Sequence, residues 1–129
     1  MPQYFSVIIP LYNKRHYIDR ALKSVLAQTH QQFEIIVIND GSDDGGELIA
    51  KSYKNKHIAV INQKNSGVSI ARNAGIRAAK YDFVCLLDAD DAWTPNFLQE
   101  IASLVHDYPK HHIFSLRHEI VDSDGQLIY

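Results

Sequence analysis

The sequence has little of what stabilises secreted or membrane-spanning proteins. Its 129 residues include one cysteine, Cys85, which has no partner for an internal disulfide. Cys85 lies inside an apolar run, so it is predicted to be a core residue rather than a nucleophile, and the lack of disulfides favours a reducing, cytoplasmic setting. The longest apolar runs have the length of a strand, too short to span a membrane. Because Pro10 and Asn13 interrupt the first of these runs, no signal peptide is predicted.

The chain also lacks a marked excess of charge of either sign. It has 13 lysine and arginine residues against 15 aspartate and glutamate residues, and a formal net charge of −2. A basic face of the kind that binds nucleic acid is therefore not expected. The length and the 46% hydrophobic content fit one globular domain or a large part of one.

Apolar runs alternate with amphipathic stretches along most of the chain. Runs typical of buried strands occupy residues 5–11, 33–38, 57–61 and 83–87. A segment with apolar residues at helical spacing follows each run; the first covers about residues 15–27, and the last is predicted to start with Thr94 as N-cap and Pro95 as its first residue. Pro10 lacks an N–H and is expected to mark the end of the first strand. This alternation predicts an α/β, Rossmann-like fold with a mostly parallel sheet and helices on both faces.

The last part of the chain is predicted to form a hairpin. Its strands would cover residues 112–121 and 126–129, joined by a turn at residues 122–125. Because the pattern stops without a closing helix, we expect the chain to be the front portion of a longer protein, truncated at its C-terminus. An apolar sheet edge near residues 113–121 would then be uncovered, which favours self-association.

Polar side chains gather where the predicted strands end. In an open α/β sheet, ligands bind outside the carboxyl ends of the strands. Tyr12 offers a flat face to a base, Asp40 can accept hydrogen bonds from an imide or a ribose, and Arg72 can bind phosphate. The candidate nucleotide-binding residues are Pro10, Tyr12, Asn13, Asp40, Asn65, Arg72 and Asp88.

Three carboxylates, those of Asp88, Asp90 and Asp91, follow the fourth predicted strand. They would be costly to bury unpaired, so the tip of this strand should open into a crevice. Carboxylates so close together on a turning backbone can face a common point, which suits a hard cation such as Mg²⁺ or Mn²⁺. The cation would in turn hold a diphosphate, so the residues together predict a nucleoside-diphosphate site.

Each of these patterns also has a simpler interpretation. Short acidic turns are common, and Tyr12 could be an ordinary loop aromatic. Asp40 and Ser42 could cap the following helix, and Arg72 could pair with Glu47. A calcium-binding EF-hand loop after the second strand is excluded, because a lysine stands where that loop requires a glutamate.

Four segments, in this order, resemble the family 2 glycosyltransferases with the GT-A fold. They are VIIPLYN (residues 7–13), IVINDGSD (36–43), NSGVSIARNAG (65–75) and LDADDAWTP (87–95). The resemblance implies a nucleotide-sugar donor that usually carries UDP, a divalent metal (Mn²⁺ or Mg²⁺), and transfer with inversion at the sugar carbon. It also implies a glycan or lipid-linked acceptor, and peripheral association with the inner face of the membrane is compatible with that.

The resemblance assigns roles to the nucleotide-binding candidates. Tyr12 would stack on the base or border it, and Asp40 would bind uracil. Arg72 would contact the base or the phosphate region, and Asp88 would lie near the ribose and the donor sugar.

The resemblance also makes Asp90 a metal ligand and Asp91 a second candidate ligand. The family's catalytic carboxylate and acceptor-binding region normally follow this length of chain. The general base is therefore expected beyond Tyr129, and this chain alone is expected to be weakly active or inactive. Asn39 departs from the family, which more often shows an acid at this position.

Two other functions are alternatives on the sequence alone. A nucleotidyltransferase acting on sugar phosphates shares the sheet and the metal, but its glycine- and arginine-rich phosphate loop is missing at residues 10–14. A receiver-like phosphoacceptor domain also clusters acids at strand ends, but residues 116–118 lack the lysine expected at the end of its last strand.

Overall fold

A computed structural model describes residues 2–128 and contains a four-stranded parallel sheet with the strand order β3-β2-β1-β4. The elements, in chain order, are β1 (Phe5–Leu11), α1 (Ile18–Leu26), β2 (Phe33–Asp40), α2 (Gly46–Ser52), β3 (Ile58–Gln63), α3 (Val68–Ala78), β4 (Phe83–Leu86) and α4 (Phe97–Asp107). The predicted α/β, Rossmann-like class is confirmed. None of these helices combines the length and apolar character needed to cross a membrane.

The two faces of the sheet bury different sets of side chains. On one face, alternate residues of β1 such as Val7 and Ile9 pack with α1, α2 and α4. On the other face, Ile8, Ile36 and Ile38 pack against Ala71 of α3. Helices therefore cover both faces, as predicted, and β1 and β2 are buried because they are flanked on all sides.

The connections define where a ligand can bind. The chain runs from β1 through β2 to β3 in one direction across the sheet, and α3 then carries it back to β4 on the other side of β1. The strand order thus reverses between β1 and β4. Their carboxyl ends, Leu11 and Leu86, flank the position where open α/β sheets form a crevice.

Two predicted strand ends are wrong. β1 continues through Pro10 to Leu11, because its pairing with β4 stops at Ile8↔Leu86 and the missing N–H of Pro10 faces no neighbouring strand on that side. Pro10 therefore lies beyond the β4 pairing rather than at the strand end. β2 includes Asp40, which the sequence placed in a loop, because β3 pairs with it as far as Gln63.

The predicted starts of two helices are wrong. α1 begins at Ile18 instead of about residue 15, and α4 begins at Phe97 with Asn96, not Thr94, as its N-cap. The buried side chain of Gln28 accounts for the second shift. Its amide donates to the Thr94 carbonyl (2.7 Å), and its oxygen accepts the N–H of Leu98 (2.9 Å), so the helix end is satisfied from a distant residue.

The predicted strand over residues 112–121 is also wrong. In the described part of the segment, pairing is limited to an isolated antiparallel bridge between Val121 and Leu127 around the predicted turn. Phe114 is partly buried and packs against the core, whereas Ile113 is 90% exposed. The segment adds no strand to the sheet. Of the predicted return strand over residues 126–129, Leu127 forms the bridge and Tyr129 lies outside the described residues. Self-association stays a prediction.

Cys85 lies in β4, where it is 9% exposed. Burial raises the pKa of its thiol to about 12. A thiol with so high a pKa is a poor nucleophile at neutral pH. The prediction that Cys85 is a core residue is confirmed.

We expect Gly75→Ala to destabilise the fold by about 1–2 kcal/mol. A Cβ at this position would lie 2.3 Å from Cγ2 of Ile8, so the close packing of α3 on β1 would have to relax. The better helix propensity of alanine, about 1 kcal/mol, offsets only part of this cost. Urea unfolding measures the change in the free energy of unfolding. The double substitution Gly75→Ala with Ile8→Ala should cost less than the sum of the two single substitutions, because the smaller side chain makes room for the added methyl group. Simple additivity of the two substitutions would contradict the proposed overlap.

Candidate functional site

An acidic cluster, consisting of Asp88, Asp90 and Asp91, follows β4 at the crevice. Each residue offers a carboxylate oxygen, and these oxygens lie within 4.8 Å of one another. A turn closed by the Asp91 N–H and the Asp88 carbonyl (3.0 Å) brings them together. The side chains of Asp88 and Asp90 are 48% and 41% exposed, so solvent and ligands can reach them. The oxygen donors and their spacing fit a hard divalent cation.

Basic side chains from three other segments contact this cluster. Arg72 of α3 pairs with Asp88 (Nη2 to Oδ1, 2.8 Å), which excludes the simpler pairing with Glu47. Lys14, in the loop after β1, pairs with Asp90 (Nζ to Oδ2, 3.1 Å). Arg20 of α1 donates to the main-chain carbonyl of Asp90 (2.7 Å) rather than to its carboxylate.

The sequence analysis did not identify Lys14 or Arg20 as site residues. The signal that could have found Lys14 is its position directly after Tyr12 and Asn13, in a loop already assigned to the site. Arg20 follows within the next helix and carries no local signal of its own. Its contact joins positions 70 residues apart.

The titration of these groups reflects their crowding. Burial raises the pKa of Asp91, and the neighbouring Asp90 and Asp88 carboxylates raise that pKa further, against an opposing effect of Arg20 and His118. The hydrogen bond to Asp90 raises the pKa of Lys14, whose ammonium group therefore stays charged. Such repulsion among carboxylates is what a bound cation relieves.

Arg72 keeps a free donor at the site. Its Nη2 is taken by Asp88, but its Nε is buried and has no hydrogen-bond partner among the described residues. A buried donor without a partner costs free energy. Because the Arg72 side chain as a whole is 34% exposed while Nε is buried, an anionic ligand would have to contact another atom of the guanidinium group.

The loops after β1 and β2 are joined by side-chain hydrogen bonds. The Asn13 N–H donates to Ser42 Oγ (3.2 Å), and Asn13 Oδ1 accepts the N–H of Asp43 (3.0 Å). Asn13 adopts a φ of +50°, which asparagine tolerates better than most residues. The ring of Tyr12 is 49% exposed beside this junction and can receive a flat ligand.

Asp40 is buried and is bound by the loop between β3 and α3. Its Oδ1 accepts from Gln63 Nε2 (2.7 Å) and the Ser66 N–H (2.9 Å), and its Oδ2 accepts the Gly67 N–H (3.0 Å). Asn65 Nδ2 donates to the Asp40 carbonyl (3.0 Å). Asp40 is only 3% exposed.

The interpretation of Asp40 and Ser42 as caps of the following helix is wrong. Asp44 accepts the N–H of Gly46 at the start of α2 (2.9 Å), whereas Asp40 satisfies N–H groups at the start of α3. Asp40 thereby fixes the loop that leads to Arg72.

The structure thus brings the predicted site residues to one edge of the sheet, where residues within each of two groups lie close to one another. Arg72 joins Asp88, Asp90 and Asp91, while Asp40 and Asn65 lie at the adjoining loop. The remaining nucleotide-binding candidates, in β1 and the loop after it, are Pro10, Tyr12 and Asn13.

Comparison with known proteins identifies relatives of this chain. The profile described as Glycosyl transferase family 2 matches residues 6–127. An uncharacterized glycosyltransferase of Rickettsia prowazekii, RP339, is 37% identical over 125 residues, which cover 96% of this chain and 39% of that protein. An uncharacterized glycosyltransferase of Rickettsia bellii is 45% identical over 95 residues, covering 73% of this chain and 14% of that protein. The chain thus spans well under half the length of these relatives.

A solved structure shows the same fold. The crystal structure of residues 1–349 of S. aureus TarS in complex with UDP-GlcNAc superposes with a TM-score of 0.78 at 32% sequence identity. The match covers 83% of this chain and 32% of that one. The same TarS segment has also been crystallised in complex with UDP. The sheet and its helices are therefore of the GT-A type.

Proposed function

Because the chain belongs to glycosyl transferase family 2, we propose that it binds a nucleoside-diphosphate sugar, with UDP as the carrier, for transfer of the sugar to an acceptor. Residues 1–129 would form the nucleotide-sugar-binding portion of a GT-A domain. The observation that carries the proposal is the acidic cluster at the carboxyl edge of the sheet, where three carboxylates lie within reach of one ion and one of them pairs with Arg72. The family match favours this function over the nucleotidyltransferase and receiver alternatives.

The choice of UDP rests on the relative with a known ligand. TarS, 32% identical to this chain, binds UDP and UDP-GlcNAc in its crystal structures. The same fold and the overall sequence similarity support a uridine carrier here. The donor sugar is not assigned.

We propose that Asp90 and Asp91 hold a divalent cation, Mn²⁺ or Mg²⁺. Their carboxylate oxygens, with that of Asp88, supply the hard donors that these ions prefer, at a spacing that one ion can bridge. When bound, the ion would supply positive charge to stabilise the departing diphosphate. Asp88 is held by Arg72, whereas Asp90 pairs with the longer-contact and more exposed Lys14, so Asp90 and Asp91 are the assigned ligands.

The roles of the other residues follow from their positions. Arg72, whose side chain is 34% exposed, would contact the phosphates with its guanidinium group, which its pairing with Asp88 holds in place. The exposed ring of Tyr12 would border the base. Asp40 and Asn65 would shape the uracil pocket, since they fix the adjoining loop.

The transfer we propose is a single displacement with inversion at the sugar carbon. A carboxylate would deprotonate the acceptor hydroxyl from the face opposite the leaving diphosphate. We assign that base to none of the described residues. A glycan or a lipid-linked acceptor is proposed, with a cytoplasmic site of action that includes the inner face of the membrane.

Calorimetric titration of UDP with and without Mn²⁺ tests the proposal. We expect Mn²⁺ to tighten UDP binding by at least about tenfold, within the range usual for coupled ligands. UMP is the control, because it lacks the second phosphate that an ion at the acidic cluster would contact, and it should gain less. The absence of a metal-dependent heat at millimolar UDP would count against the proposal.

A further inference from the structure

Lys14 forms an ion pair with one carboxylate of the acidic cluster. Its ammonium group lies 3.1 Å from Asp90 Oδ2, and the two side chains are 42% and 41% exposed. Arg20 leaves the Asp90 carboxylate free, because it donates to the main-chain oxygen. In the described part of the chain, Lys14 is therefore the cation paired with the Asp90 carboxylate.

This pairing conflicts with a divalent ion on the same residue. An ion bound to an Asp90 oxygen would lie about 2 Å from it, and the ammonium group at its present position would repel the ion across a few ångströms. Binding of an ion to Asp90 Oδ2 therefore requires Lys14 to move. The move is inexpensive, because half-exposed ion pairs contribute little, equivalent to about 1.5–5-fold in an equilibrium constant.

Once displaced from Asp90, the ammonium group of Lys14 could pair with a bound diphosphate. Lysine is a compact charge on a flexible stem and binds phosphate well. Lys14 follows Tyr12 and Asn13 in the loop that borders the proposed nucleotide site, so a diphosphate bound at the cluster would lie within the sweep of its side chain.

We infer that Lys14 is an exchangeable counter-ion that couples metal binding to diphosphate binding. Without ligands it neutralises Asp90 and weakens the binding of a divalent ion. When a nucleoside diphosphate binds, Lys14 moves to the diphosphate and leaves Asp90 to the ion. The inference rests on the proposed function and adds a residue that discriminates between the free metal and the metal–nucleotide pair.

The substitution Lys14→Met tests the inference by metal binding rather than by activity. Methionine keeps the side-chain length, and the main-chain oxygen of residue 14 still accepts the N–H groups of Tyr17 and Ile18. We expect Mn²⁺ alone to bind the variant about 3–5-fold more tightly than the parent, because the competing charge is gone. The factor by which UDP tightens Mn²⁺ binding should fall by a similar or larger amount, as linkage requires.

Two variants serve as controls. Lys14→Arg keeps the charge and should keep the weak binding of free Mn²⁺. Lys23→Met removes the same charge from a lysine that pairs with Asp19 instead, so it should leave both quantities at the parent values. Thermal unfolding checks that each variant is folded, and Lys14→Gln replaces Lys14→Met if that variant is not.

The outcomes separate this inference from the proposed function. Tighter binding of free Mn²⁺ together with a smaller UDP effect supports it. Unchanged or weaker binding of free Mn²⁺ by Lys14→Met overturns it, as does tighter binding with an unchanged UDP effect, and both results leave the proposed function standing. If the parent itself binds no Mn²⁺ with or without UDP, the inference and the proposed metal site fail together.

Discussion

Replacing Asp90 by alanine is expected to weaken Mn²⁺-dependent binding of UDP by about 100-fold or more. Loss of a residue that only supports a metal ligand typically costs 10–100-fold, and Asp90 is proposed as a ligand itself. The fold should change in stability by less than about 1 kcal/mol, because the Asp90 side chain is 41% exposed and, among the described residues, its carboxylate pairs with Lys14, which is also exposed. The main-chain oxygen that holds Arg20 is retained in the variant. Calorimetry with UDP, with and without Mn²⁺, measures the effect.

Asp82→Ala is the matched control. It removes the same charge from the opposite end of β4, where the exposed Asp82 precedes the strand. It should leave Mn²⁺-dependent binding of UDP unchanged. If Asp90→Ala binds Mn²⁺ and UDP as tightly as the parent, Asp90 is not the ligand and the assignment passes to Asp91 and Asp88.

The parts of the fold that could be predicted from the sequence are those that a local pattern determines. The runs that became β1 and β2 are apolar at nearly every position, which is typical of strands covered by helices on both faces. The small residues Ala71 and Gly75 are buried on α3, and a Cβ at Gly75 would overlap Ile8 of the sheet. The acidic cluster was also local, because its three residues lie within four positions.

The features that could not be predicted depend on partners far away in the sequence. α4 starts where the Gln28 side chain meets Leu98, 70 residues away, so Thr94 and Pro95 alone gave the wrong start. Arg20 and Lys14 reach Asp90 across similar separations. Residues 112–121 have strand-like composition, but a strand also needs a neighbouring strand to pair with, and within residues 2–128 this segment forms only the Val121–Leu127 bridge.

Asp40 has a structural role that its sequence pattern does not reveal. The sequence suggested a carboxylate that faces the base. In the structure, both of its oxygens accept hydrogen bonds from the loop that starts α3, at the positive end of that helix. Its burial makes it a structural part of the site, and any effect on uridine binding should therefore come together with an effect on stability.

We expect Asp40→Asn to destabilise the fold by about 2–4 kcal/mol. The amide has one acceptor oxygen where the carboxylate has two, so its NH₂ group would face the N–H of Ser66 or Gly67. That N–H would then lack an acceptor, at a residue that is only 3% exposed. A buried donor without a partner costs about 1–3 kcal/mol, and the lost charge–dipole interaction with α3 adds to this. Uridine binding should weaken as well, because the loop that carries Asn65 is released.

Asp43→Asn makes the same chemical change three residues further on, at an exposed side chain, and should change the stability by no more than about 0.5 kcal/mol. Urea unfolding compares the three proteins, and calorimetry with uridine in the absence of metal is done well below the unfolding midpoint. If Asp40→Asn is as stable as the parent and still loses uridine, then the Asp40 carboxylate contacts the base directly, and its bonds to the loop must give way when the nucleotide binds. If it loses stability but keeps uridine affinity, Asp40 supports α3 alone and the base is bound by other residues, with Tyr12 the next to be tested.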